Sequence, residues 1–145
     1  MYRKIVLAYD GSEIGQQALL GCKEIAELAQ AELYLIAVVA PPVEFASGEG
    51  TFSTAGYEES ERRRFREVLE DGLKRLGALG RPATGEVGYG DTIVEISDYA
   101  ARVGADLIVV GHKHREGWVN RWWRRSVSKS LIEHAPCNVL IVITR

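Results

Sequence analysis

Short apolar runs that do not alternate with polar residues most constrain the fold of this chain. Ile5-Val6-Leu7-Ala8, within Lys4 to Tyr9 (KIVLAY), is one, and Leu107-Ile108-Val109-Val110 is another. A strand with one wet face alternates, so a continuous run of this length reads as a strand covered on both faces. Leu33 to Val39 (LYLIAVV) and Asn138 to Ile143 (NVLIVI) supply two more strands, and Thr84 to Tyr89 a weaker one. Gly85 and Gly88 in that weaker strand point to an edge position.

Helical spacing fills the intervals. Ser12 stands as N-cap to a helix whose apolar positions are Ala18, Cys22, Ile25, Ala26 and Ala29, ending near Gln30. Glu58 to Leu79 carries a stripe of Phe65, Val68, Leu69, Leu73 and Leu76 behind a charged, solvated face, and Gly80 and Pro82 break it. Gly90-Asp91-Thr92 opens a third helix striped by Ile93, Ile96, Ala100 and Val103, with Gly104 as its C′ residue. A fourth helix starts at Ser126 and stops at His134-Ala135-Pro136.

Strand and helix thus alternate four times and close with a fifth strand. The expected fold is α/β: an open five-stranded parallel sheet of order 3-2-1-4-5 with helices on both faces. At 145 residues, without repeat or linker, residues 1–145 form one domain. Val43 to Tyr57, rich in Gly, Ser and Thr, is expected to be either a mobile surface loop or a lid.

A net charge of −2, from 18 basic and 20 acidic residues, argues against nucleic acid as the main partner. Cys22 and Cys137 lie apart in apolar surroundings and read as buried small hydrophobes. Near the start no hydrophobic targeting segment is evident, and no apolar run reaches the ~20 residues of a membrane span. A cytoplasmic protein without a membrane partner is expected.

The chemistry concentrates between Asp106 and Leu131. Gly111 ends the apolar run as a turn. A loop then holds His112, His114, Trp118, Trp122, Trp123 and five Lys or Arg, before Ser126 opens the last helix. A strand, a glycine and a helix N-terminus make an anion site. In a sheet of order 3-2-1-4-5 the strand order reverses between strands one and four. Asp10-Gly11-Ser12 and the loop from Gly111 face one another there.

KIVLAYDGS, GDTIVEISDYAARVGADLIVVG and SVSKSLIEHAPCNVLIV together resemble the universal stress protein family over nearly the whole chain. The resemblance implies an adenine-nucleotide hydrolase-like, Rossmann-like fold and a stress-response role. It also implies a homodimer built through the C-terminal strand Asn138 to Ile143, and ATP binding in some members. Those members carry G-x2-G-x9-G-[ST]. Gly111 matches the first glycine and Ser126 the serine, but His114 replaces the second glycine, Arg125 the third, and one residue is inserted. Arg at the helix entry removes bare backbone from the phosphate path, yet Arg124, Arg125 or Lys113 could rebuild it.

By position, Asp10 would contact ribose or a metal-bound phosphate, with Gly11 and Ser12 beside it. Val38 and Val110 would line the adenine pocket; Gly111, His114, Arg125, Ser126 and Val127 would lie around the phosphates. ATP or AMP with Mg is the implied ligand. Asp10 alone also reads as a turn residue, and Ser126 as an ordinary N-cap.

The His112/His114 pair falls short of the three or four ligands a metal site needs. Ser126 and His134 lack an orienting acid for catalysis. Trp118, Trp122 and Trp123 among Arg121, Arg124 and Arg125 could stack on single-stranded nucleic acid, sit at an anionic membrane surface, or pack onto the protein itself or a partner subunit. Packing is preferred. The expectation is a binding and regulatory protein with at most slow ATP hydrolysis. The alternative is a homodimeric scaffold of the same family that holds no nucleotide.

Overall fold

The structure, a computed structural model, describes residues 1–40, 54–113 and 127–144. Among these residues five strands and four helices alternate: β1 Lys4–Ala8, α1 Glu13–Ala29, β2 Glu32–Val39, α2 Thr54–Ala78, β3 Ala83–Tyr89, α3 Thr92–Val103, β4 Leu107–Lys113, α4 Val127–His134 and β5 Asn138–Thr144. All four strand pairings are parallel and the order is β3-β2-β1-β4-β5, as the sequence predicts.

Two apolar layers sandwich the sheet. Ala18, Leu19, Cys22 and Ala26 of α1, with Phe65, Leu69 and Leu76 of α2, cover Ile5, Leu7, Leu35 and Val109 on one face. Ile96, Tyr99 and Ala100 of α3 and Leu131 of α4 cover Val6, Ile36, Ile108 and Val110 on the other. Adjacent residues of β1 and β4 therefore belong to opposite layers, which is why their sequences do not alternate. Each such aliphatic side chain contributes roughly 1.5–3 kcal/mol through burial. Cys22 packs into the first layer and Cys137 borders the second, so the sheet separates them.

Two boundaries differ from the sequence reading by more than one residue. Helix α2 begins at Thr54, four residues before Glu58, because Thr54 to Tyr57 joins the helix without extending its apolar stripe. Strand β4 does not stop at Gly111: Gly111, His112 and Lys113 pair with Val142, Ile143 and Thr144. A glycine ends a strand only when the ladder ends with it, and here β5 continues alongside.

The central strands are joined at their starts by Asp106. Its carboxylate accepts the N–H groups of Arg3 at 3.1 and 2.9 Å and of Lys4 at 3.0 Å. The opposite, C-terminal ends of β1 and β4 carry the candidate site.

Candidate functional site

Chain reversal after β1 begins at Asp10, whose side chain is exposed. Its Oδ1 accepts the Ser12 N–H at 3.0 Å and the Ser12 hydroxyl at 2.5 Å. The Ser12 hydroxyl in turn accepts the Gly15 N–H at 3.0 Å, which makes Ser12 the N-cap of α1. The sequence assigns Asp10 two roles, turn residue and ligand contact; the turn geometry engages one carboxylate oxygen. Gly11 sits at φ 78°, a left-handed conformation that a side chain would strain, and this lets the chain enter α1 at once.

Beside β1 lies β4. Its pairing with β1 runs through Leu7 and Val109, so Asp10 and Gly111 lie just beyond the last paired residues. At Gly111 α1 lies close against the sheet: a Cβ there would stand 2.9 Å from Ile14 Cγ2, 3.0 Å from the Ile14 carbonyl oxygen and 3.2 Å from Ala18 Cβ. The glycine therefore gives α1 room to seat. Ile14 is in the first turn of the helix that Asp10 and Ser12 start, so this packing brings the two loops' flanks together.

Val38 and Val110 are buried, 6 % and 5 % exposed, in the α3–α4 layer with Ile36 and Ile96. Val127 opens α4. His114, Arg125 and Ser126 lie outside the described residues. So do Trp118, Trp122, Trp123, Arg121, Arg124 and residues 43–53 of the loop predicted after β2. His112 is part of β4, paired with Ile143, and among the described residues no three of His, Cys, Asp and Glu converge on a metal position.

Asp10 precedes α1 and Glu13 opens it, so two acids stand at the start of that helix. One contributor escapes a reading of the sequence. Tyr9, which looks like the last residue of a strand, is a buried side chain bonded to α2 immediately before Asp10.

The family model described as the universal stress protein family matches residues 1–142. This chain belongs to that family. A universal stress protein of Methanocaldococcus jannaschii is 32% identical over 143 residues, which covers 98% of this chain and 82% of that protein. A universal stress protein structure from Burkholderia pseudomallei superposes with a TM-score of 0.78 at 26% identity, covering 97% of this chain and 96% of that one.

Two further universal stress protein structures share the fold. One, in complex with cAMP, is 21% identical with a TM-score of 0.69 and covers 99% of this chain and 98% of that one. The other, from Arabidopsis thaliana with AMP bound, is 18% identical with a TM-score of 0.67, covering 99% and 92%. Among the described residues of this universal stress protein, no helix is long and apolar enough to cross a membrane.

Proposed function

We propose that this universal stress protein is a regulatory protein that holds an adenine nucleotide, ATP or AMP, in the crevice beyond β1 and β4. The observation that carries this is the seating of α1 on Gly111 through Ile14. Ile14 lies in the first turn of the helix that follows Asp10, and β1 and β4 are neighbours where the strand order reverses, which supports a ligand site beyond these two strand ends. The cAMP and AMP held by two proteins of the same fold support the ligand class. Asp10 would meet the ribose or a metal-bound phosphate. Backbone near Gly111 and Val127, together with Ser126, His114 and the Lys113–Arg125 bases, would meet the phosphates. Magnesium, arriving with the nucleotide, would supply positive charge that offsets the phosphates. Any hydrolysis is slow and incidental.

Denaturing the purified protein and measuring absorbance near 260 nm in the supernatant tests for carried nucleotide. A titration of ATP against melting temperature tests for binding: at a hundredfold excess over Kd the stability gain is about 2.7 kcal/mol. The gain should shrink in Asp10→Ala. A clean supernatant and an ATP-independent melting temperature overturn the nucleotide reading.

The second reading is a homodimeric scaffold that holds no nucleotide, and β5 favours its dimer. Among the described residues β5 pairs only with β4, and it presents an unbroken run of Val139, Leu140, Ile141, Val142 and Ile143. An apolar edge strand is satisfied by a two-fold copy of itself. Light scattering after size exclusion that returns a monomer at micromolar concentration removes the dimer from both readings.

A further inference from the structure

Tyr9 is 2 % exposed. Its N–H donates to the Ile36 carbonyl at 2.9 Å, carrying the β1–β2 pairing one residue past the strand. The ring lies between two helices that approach it through glycine. A Cβ on Gly15 of α1 would stand 3.3 Å from Tyr9 Cδ2, and one on Gly72 of α2 would stand 2.8 Å from Cδ1 and Cε1. The hydroxyl donates to Asp71 Oδ2 at 3.0 Å, and the same oxygen accepts Arg75 Nε at 2.8 Å. The Arg75 guanidinium, followed by the Tyr9 bond, holds the Asp71 carboxyl below the usual carboxylate range. Burial first, and then the Asp71 bond, push the Tyr9 phenol up to about 12. At neutral pH the pair is thus a fixed O–H donor on an ionised acceptor, a strong and directional bond.

A second contact lies one helical turn earlier. The space where Gly11 would carry a Cβ is closed by the two Val68 methyls of α2 at 3.3 Å. Val68, Asp71, Gly72 and Arg75 recur at i, i+3, i+4 and i+7 and so form one stripe of α2. That stripe touches both residues flanking Asp10. A phenylalanine would fill the same space as Tyr9; what the hydroxyl adds is a fixed register between the end of β1 and α2.

We infer that the Val68–Arg75 stripe of α2, acting through Tyr9 and Gly11, positions the Asp10 turn, and that Tyr9 is thereby a positioning residue of the nucleotide crevice. The second half of this inference rests on the nucleotide reading above; the first half does not. Fixing the backbone on both sides of Asp10, with Ser12 fixing its Oδ1, leaves the carboxylate one defined direction.

The experiment is amide exchange by NMR on the nucleotide-free full chain, with Tyr9→Phe, Asp71→Ala and Asp71→Asn beside wild type. In Tyr9→Phe and Asp71→Ala, exchange at the Ser12 and Gly15 amides should rise about three- to tenfold, the consequence of one lost hydrogen bond, while Val109 in β4 stays unchanged. Asp71→Asn retains an oxygen acceptor and should return the loop toward wild-type rates. Unchanged Ser12 and Gly15 exchange in both disruptive variants overturns the inference, as does an equal rise at Val109, which marks general destabilisation. If wild type binds ATP, Tyr9→Phe should raise its Kd by a similar factor; an unaltered Kd overturns the crevice role. A wild type that binds no ATP overturns the nucleotide reading, and the exchange rates still decide the role of Tyr9.

Discussion

The two edges of the sheet occupy equivalent places and carry opposite chemistry. Strand β3 is built from ATGEVGY: Gly85 lies so close to β2 that a Cβ there would stand 2.6 Å from the Leu35 carbonyl oxygen, and Glu86 pairs with Arg102 of α3. Strand β5 is NVLIVIT, with Leu140 and Val142 against one core layer and Val139 and Ile141 against the other. Glycines and a charged pair make β3 a poor template for another strand, whereas an apolar run invites one. An edge is thus defined by its side chains rather than its place in the order. The one that lacks charge is the one expected to meet a second copy.

The largest effect is expected from Gly85→Val, which crowds β3 against β2. The new side chain must displace the Leu35 carbonyl oxygen, at 2.6 Å, a backbone atom that cannot yield cheaply, and push aside Leu69 Cδ1, at 2.8 Å. A loss of about 3 kcal/mol or more is expected in urea unfolding. A loss under about 1 kcal/mol would mean that β3 can move off β2, and that its glycines are not there for close approach. Next comes Ile143→Lys on β5. Ile143 is 61 % exposed in the single chain, so the monomer should keep its stability. Burying two lysines across a two-fold axis should weaken the proposed dimer by about 3 kcal/mol, roughly a hundredfold in dissociation constant. Sedimentation equilibrium reads this directly, and an unaltered assembly excludes β5 as the interface.

Strand order, parallel pairing and both edges were legible in the chain because they rest on local signals: unalternated runs for central strands, glycines for one edge, helical stripes between. What escaped lies in contacts between distant residues. Gly111 carries the local signature of a turn, yet β4 runs on to Lys113 and the glycine instead accommodates Ile14, almost a hundred positions earlier. Asp71 looks like one more charge on the solvated face of α2, and only the fold brings it to the hydroxyl of Tyr9, 62 residues away. Asp10, Gly11 and Ser12 could be named from sequence because their turn chemistry is contained within three residues. Their support could not, since the apolar stripe of α2 marks its buried face but not the polar margin, Asp71 and Arg75, that meets the Tyr9 hydroxyl.

A smaller effect is expected midway between the edges, at Asp106. Burial pushes its carboxyl up, but the N–H bonds from Arg3 and Lys4 outweigh this and hold it below the usual range. A lowered folded pKa means stability that is fully present above the unfolded Asp value, about 3.9, and lost as pH falls through the folded value. Asp106→Asn should therefore cost about 1–2 kcal/mol at pH 7 and progressively less below pH ~4, measured by denaturation at each pH. Because Asp106 joins β1 to β4, it should leave the assembly state untouched. A variant that also dissociates the dimer would show that β5 depends on the centre of the sheet and is not an independent surface.

The smallest effect is expected at the pair that guards β3. Arg102 and Glu86 side chains are 56% and 41% accessible, so water and salt already weaken their attraction, and Arg102→Ala should lower the melting temperature by about 2 °C or less. Its informative consequence lies elsewhere. Without Arg102 the β3 edge keeps an unpaired Glu86, which still repels an approaching strand, so the protein should stay as soluble as wild type in static light scattering on heating. Replacing both residues by threonine removes the charges and leaves a strand-compatible edge. If charge is what distinguishes β3 from β5, the double variant should scatter more near its melting temperature while Arg102→Ala does not. Equal scattering from both would assign the protection of β3 to Gly85 and Gly88 alone, and would locate the difference between the edges in backbone shape.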